Sequence, residues 1–183
     1  MKNNQPITQR EVLFPPNCYL VSKTDLKGII TQANDAFVAI SGFTRTELIG
    51  SSHNVVRHPE MPAAAFADLW KTVKAGLPWR GAVKNRCKNG DYYWVEAFVV
   101  PLKKNGEITG YMSVRTPLAA DKKQAAEALY RAAGSTGKLP ENARRSIPLA
   151  ARLWAAMGAL LVLMGIIGFF GLRNLAETNQ ELN

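Results

Sequence analysis

Four side chains able to do chemistry fall between positions 53 and 60: His53, Arg57, His58 and Glu60. Arginine presents a planar fork of donors that suits phosphate or carboxylate oxygens. A neutral histidine donates from one ring nitrogen and accepts at the other. Two histidines five positions apart also raise the question of a metal, but no Cys, Asp or second His completes a ligand spacing. Asn34, at a predicted helix start, and Asn85, on a predicted strand, carry carboxamides that can donate and accept at once. For Asn34 a plain helix cap is the alternative. Phe66 and Trp70 share the apolar face of a predicted helix, where core packing and a pocket wall are equally open. Trp79 follows Gly76-Leu77-Pro78, a loop that can present its indole to a planar ring, whereas Trp94 reads as packing. No Ser-His-Asp set, Gly-rich phosphate loop or pair of catalytic carboxylates stands out, so the expectation is a protein that is not an enzyme. Cys18 and Cys87 suggest two reduced thiols rather than a disulfide framework.

These residues need a scaffold, and the pattern around them supplies one. Residues 1–17, with Pro15-Pro16 at their end, read as a flexible arm. Residues 18–118 read as one α+β domain. Two short strands, Cys18 to Ser22 and Ile29 to Gln32, flank a turn at Asp25 to Gly28. Asn34 can cap a helix stopped by Gly42, and Thr44 with Glu47 forms a capping box for another short helix. A longer helix from Pro62 to Ala75 carries Phe66, Leu69, Trp70 and Val73 at helical spacing. Three strands follow: Ala82 to Cys87, Tyr92 to Leu102 and Ile108 to Thr116. Asn89-Gly90 and Asn105-Gly106 join them as two-residue hairpin turns in which both positions need positive φ. On the last strand Ile108, Gly110, Met112 and Val114 alternate with Thr109, Tyr111, Ser113 and Arg115, so the first row is expected against the helices and the second on the more polar face. The expectation is a five-stranded antiparallel sheet with helices on one face, a fold that can leave a ligand cavity between the layers.

The 183 residues carry a formal net charge of +9, unevenly spread. Residues 119–152 hold seven Lys and Arg against three Asp and Glu and read as a basic, jointed linker, helical from Asp121 to Ala133. Trp154 to Leu172 has no charged side chain, and nineteen residues of helix span about 28 Å, the thickness of a bilayer's hydrocarbon core. A transmembrane helix is therefore expected over 153–172, with a short polar tail at 173–183. Its position far from the N-terminus excludes a signal peptide. Arg144, Arg145 and Arg152 before the helix put the first domain on the cytoplasmic side of the inner membrane, in contact with acidic lipid, and leave no need for nucleic acid.

The order of strands and helices resembles the PAS domain, through Thr24-Asp25-Leu26, Ala33-Asn34-Asp35-Ala36-Phe37, Ser41-Gly42-Phe43-Thr44 and Glu47-Leu48-Ile49-Gly50. More specifically, His53-Asn54-Val55-Val56-Arg57-His58-Pro59-Glu60-Met61-Pro62, Ala64-Ala65-Phe66-Ala67-Asp68-Leu69-Trp70, Trp79 and Val83-Lys84-Asn85-Arg86 resemble the FAD-binding PAS domain of bacterial aerotaxis receptors. The resemblance implies non-covalent FAD, redox or oxygen-linked energy sensing, and a homodimer. It also implies signalling to a chemotaxis kinase and its coupling protein through a coiled-coil output domain not present in these residues, so that the chain is a fragment or a short variant. On these terms Asn34, His53, Arg57, His58, Glu60, Phe66, Trp70, Trp79 and Asn85 are the expected cofactor-binding residues. Glu60 departs from the family's usual Asp. Asn54-Val55-Val56-Arg57 lacks the cysteine that a light-sensing PAS domain needs. A different output (a histidine kinase or a cyclic-dinucleotide enzyme), a haem or apolar-ligand sensor, a flavoenzyme and a ligand-free interaction module are the alternatives.

Overall fold

The computed structural model describes residues 4–138, together with Met157 and Met164. The expected membrane helix over 153–172, the tail at 173–183 and most of the linker beyond 138 lie outside the described residues. Among the described residues no helix is long and apolar enough to cross a membrane.

The chain runs β1 (Leu20–Thr24), β2 (Ile30–Ala33), α1 (Asp35–Ser41), α2 (Arg45–Leu48), a 3-10 turn (His53–Val56), α3 (Ala63–Lys74), β3 (Trp79–Arg86), β4 (Tyr92–Lys104), β5 (Glu107–Pro117) and α4 (Ala120–Thr136). The five strands form one sheet in the order β2-β1-β5-β4-β3, every pair antiparallel. Bringing β1 beside β5 closes the chain's first and last strands onto each other and leaves α1–α3 over one face. Phe37, Leu48, Val56 and Val73 fill the space beneath them against Leu20, Ile30 and Val95, all with no exposed surface.

Local signals hold at the helix ends. The Asn34 side chain accepts from Phe37 N, Gly42 takes the left-handed conformation at the other end of α1, and Thr44 with Glu47 forms the capping box of α2. The two hairpins differ. Asn105 and Gly106 both have positive φ, as a two-residue mirror-image turn demands. At the first hairpin only Gly90 does, and the connection runs from Cys87 to Asp91, closed by Cys87 N–H donating to Asp91 O and Gly90 N–H to Cys87 O. Asn89 instead accepts Asp91 N–H through its side chain, which relieves it of the left-handed backbone.

Three expectations need correction. The helices are not confined to one face: Tyr130 of α4 stacks on Trp94 with ring centroids 6.3 Å apart and donates to Ala82 O. Trp94 points away from the face that carries Val95, Ala97 and Val99, because neighbours on a strand alternate. Residues 120–136, read as linker, are thus an outer layer. The alternation on β5 is real but reversed, since Tyr111, Ser113 and Arg115 are buried under the helices while Met112 and Val114 are only half-buried on the outside. The described part of the arm is also pinned. Val12 N–H donates to Tyr92 O and Tyr92 N–H to Arg10 O, while Thr8 and Arg10 bind the Asp91 carboxylate. The reason lies in the ladder: β5 pairs with β4 only from Val95 onward, so the start of β4 has an open edge that the arm satisfies.

Candidate ligand cleft

A cleft of about 540 Å³ opens between the sheet and the helices, within the size range of small-molecule sites. Val83, Ala97 and Val99 form its apolar floor, and Phe66, Leu69 and Trp70 of α3 form the opposite wall. Trp70 is fixed by an edge-on contact with Tyr111, centroids 5.4 Å apart. The lining also has polar residues: Ser22, Ser113, Arg115 and Asn85 are buried, while Lys27 and Lys74 are exposed.

Five of the nine expected residues meet in this cleft: His53, Arg57, Phe66, Trp70 and Asn85. His53 opens the 3-10 turn, its ring stacked on Phe37 with 5° between planes and centroids 5.8 Å apart. Arg115 donates to its Nε2. A guanidinium has no acceptor, so Nε2 is the acceptor and the ring proton sits on Nδ1. Burial, reinforced by the Arg115 charge, holds His53 down to about 3, so it is neutral at any physiological pH. Arg57 is 8% exposed; its guanidinium lies 4.1 Å from the Phe66 centroid and donates to Met61 O. Its backbone pairs with Asn85, which ties the turn to the edge of β3. The fork is thus already braced from two sides, and burial lowers its proton affinity. Asn85 is 3% exposed, and its side chain lies within hydrogen-bonding reach of the buried Tyr93 phenol.

The other four lie elsewhere. Asn34 spends its amide on structure, accepting from Val21 N and Phe37 N and donating to Tyr19 O. His58 is buried behind the turn, edge-on to Tyr92, with Nδ1 accepting from Glu60 N. Burial first, then the nearby Lys84, holds its ring down to about 4. Glu60 grips Lys84 at 2.6 Å, and that ammonium sits 4.1 Å over the Tyr92 ring. The Lys84 ammonium lowers the Glu60 carboxyl below its usual value. Trp79 is the first residue of β3, 6% exposed, and its indole N–H donates to Asp68 of α3. Neither Cys18 nor Cys87 lines the cleft; both are free thiols, and burial pushes Cys87 up to about 11.

Arg115 was not among the expected residues, although it is the most buried charge in the cleft. Its Nη2 donates to Ser22 Oγ at 2.8 Å and to His53, and its guanidinium lies 4.9 Å from the Phe37 centroid. Burial brings it down to about 10, so it remains charged. The β5 alternation already put Arg115 on one face with Tyr111 and Ser113; what was misassigned was the side on which that face lies.

The antiparallel five-stranded sheet with helices over a cleft is the arrangement of the PAS fold, and residues 30–115 match the family model of that fold. That stretch of the chain has the PAS fold. Within it, the chain is similar to the aerotaxis receptor of Escherichia coli (strain K12), 44% identical over 187 residues that cover 93% of this chain and 36% of the receptor. A nitrogen fixation regulatory protein of Klebsiella pneumoniae is 28% identical over 96 residues, 52% of this chain and 19% of that protein. The chain thus spans about a third of the length of the first relative and a fifth of the second. Among solved structures, the blue-light photoreceptor Aureochrome1 LOV in its light state aligns with a TM-score of 0.52 at 18% identity, covering 59% of this chain and 86% of that one. A light-oxygen-voltage domain described with a flavin analogue aligns with a TM-score of 0.52 at 20% identity, covering 64% and 87%. These likenesses establish the fold.

Proposed function

We propose that the cleft binds FAD without a covalent bond and that the protein senses redox or oxygen-linked energy state for taxis. The observation that carries this reading is the cleft's donor pattern: the buried Asn85 carboxamide and the buried Arg115 Nη1, which has no hydrogen-bond partner, line a slot walled by Phe66 and Trp70. A planar heteroaromatic with acceptors along one edge satisfies both requirements. Phe66 and Trp70 would hold one face of the ring against Val83, Ala97 and Val99 on the other, Asn85 and Arg115 its acceptor edge, and the exposed Lys27 and Lys74 the anionic pyrophosphate. When bound, the flavin supplies the reversible electron transfer that no side chain here provides. Asn85 senses the ring's protonation by exchanging donor for acceptor, and β3 carries that change to Ala82, where Tyr130 of α4 is attached. Similarity to the aerotaxis receptor supports the receptor context.

In this reading the apolar run at 153–172 anchors the protein in the inner membrane with the PAS domain in the cytoplasm. The protein acts as a homodimer rather than as an enzyme, and its output reaches a chemotaxis kinase and coupling protein. The test is an absorption spectrum of the purified chain followed by heat release. Two flavin bands in the near-ultraviolet and blue, bleached by dithionite, with FAD in the supernatant, support it. A Soret band, or a colourless protein that takes up no added FAD, refutes it.

A further inference from the structure

Five exposed lysines, Lys27, Lys71, Lys74, Lys103 and Lys104, come from three separate parts of the chain, and the fold gathers them at one end of the domain. Lys71 and Lys74 lie in the last turn of α3, with the Lys74 ammonium 5.9 Å from the Trp70 ring centroid. A Cβ added to Gly28, next to Lys27, would stand 3.1 Å from that same ring. A Cβ added to Gly76, just past α3, would stand 3.6 Å from Lys103 Nζ. Lys103 and Lys104 end β4 at the Asn105-Gly106 turn. None of the five forms an ion pair among the described residues, whereas Lys84, Lys88, Lys122 and Lys123 each hold a carboxylate. The acidic residues in these segments are Asp25, whose carboxylate accepts from the Lys27 and Ile29 amides, and Glu107, opposite Lys104 in the hairpin. Two exposed leucines stand among the lysines: Leu26, 51% exposed, and Leu77, 57% exposed, in the loop between α3 and β3.

Part of this charge has other work. Lys71 and Lys74 suit the C-terminal end of a helix, and Lys27 and Lys74 line the cleft. Neither reason reaches Lys103, Lys104 or Leu77. Single exposed leucines are ordinary, but leucines set among unpaired ammonium groups match an interface that is anionic outside and apolar beneath. The cations are all lysines, point charges that adapt to a fluid array of headgroups, and not the arginine forks that fixed bidentate recognition favours. We propose that this end of the domain, through Lys71, Lys103, Lys104 and Leu77, docks on an anionic bilayer surface. The proposal rests on the membrane-anchored reading above, which brings the domain to such a surface.

The experiment reconstitutes the full chain into vesicles of phosphatidylcholine, alone or with phosphatidylglycerol, with FAD present throughout, and reads backbone hydrogen exchange by mass spectrometry. Residues 75–77 and 103–107 are expected to exchange about fivefold more slowly on the anionic vesicles at low salt, and concentrated salt is expected to remove that protection. Lys103→Gln with Lys104→Gln weakens docking about 25-fold, roughly fivefold for each lysine, and abolishes the protection. FAD affinity is unchanged in this variant, because neither residue lines the cleft. Leu77→Ser weakens docking while leaving its salt dependence. Equal exchange on the two kinds of vesicle, or protection that survives the double substitution, overturns the proposal. Equal protection on neutral vesicles by added polyglutamate or a single-stranded oligonucleotide assigns the patch to anionic polymers and also overturns it. A chain that fails to float with neutral vesicles overturns the membrane anchor instead, and exchange on the anionic vesicles still decides the docking, so the two failures are distinct.

Discussion

The indole N–H of Trp79 donates to the Asp68 carboxylate at 2.9 Å, so the first residue of β3 is fastened to the middle of α3. The ring lies against Gly81, where an added Cβ would come within 2.5 Å of it. Trp79 therefore buttresses the helix that carries Phe66 and Trp70 and does not itself line the cleft. Trp79→Phe is expected to keep FAD affinity and to lower stability by about 1 kcal/mol, the value of one lost hydrogen bond. Urea unfolding and FAD titration check both halves, and a variant with normal stability but no FAD would reassign Trp79 to the ligand.

Asn34 behaves as a junction of β1 and α1, with its carboxamide bonded to Val21, Phe37 and Tyr19. Asn34→Ala is expected to cost about 1–2 kcal/mol, as for a lost N-cap. Its effect on FAD affinity should be far smaller than that of Asn85→Ala, which removes a donor from the cleft and is expected to weaken binding about tenfold. Equal effects of the two variants on affinity would contradict this division.

His58 is buried neutral, with its ring held down to about 4 against an ordinary 6.5, and it faces Lys84, Arg86 and Glu60. Because the unfolded state takes up the proton first, stability must fall as pH drops from about 6.5 toward 4. Each such histidine steepens the loss by about 1.4 kcal/mol per pH unit in that window. His58→Gln should be less stable at pH 7 yet lose correspondingly less between pH 6.5 and 5, measured by urea unfolding across the range. The remaining slope belongs largely to His53, which is held lower still.

The arm's attachment gives a local signature. Thr8 N–H donates to Gly90 O and Val12 N–H to Tyr92 O. Both amides should be protected from hydrogen exchange. Asp91→Ala, which removes the carboxylate that holds Thr8 and Arg10, should release Thr8. Exchange of Thr8 at the rate of a free peptide in the wild-type protein would rule the attachment out.

Much of the architecture was legible because its signals are local. The capping box at Thr44 and Glu47, the cap at Asn34, the apolar stripe of α3 and the Asn105-Gly106 turn each act within four residues, so residue type and spacing suffice. The first hairpin was misjudged because Asn89 had a side-chain alternative to the left-handed backbone, and composition does not distinguish the two. The outer position of α4 was missed because Trp94 and Tyr130, 36 positions apart, meet only in the folded chain.

The candidate site divides the same way. His53 and Arg57 come from one short segment, and Phe66 and Trp70 from one helix, so their shared neighbourhood could be read along the chain. By itself the sequence determined the residue types, the helix caps, the turn positions and the two-residue period of β5. Only the tertiary structure decided which side of that period lies under the helices. A two-residue alternation defines two faces and is silent on which is inner, until the pairing of β1 with β5 puts Ser22 opposite Ser113 and Leu20 opposite Arg115. That pairing turns a row expected on the polar side, Tyr111, Ser113 and Arg115, into the wall of the cleft. His58, Glu60 and Trp79, close in sequence to the site, instead bind Tyr92, Lys84 and Asp68, partners 11 to 34 positions away that only folding brings to them.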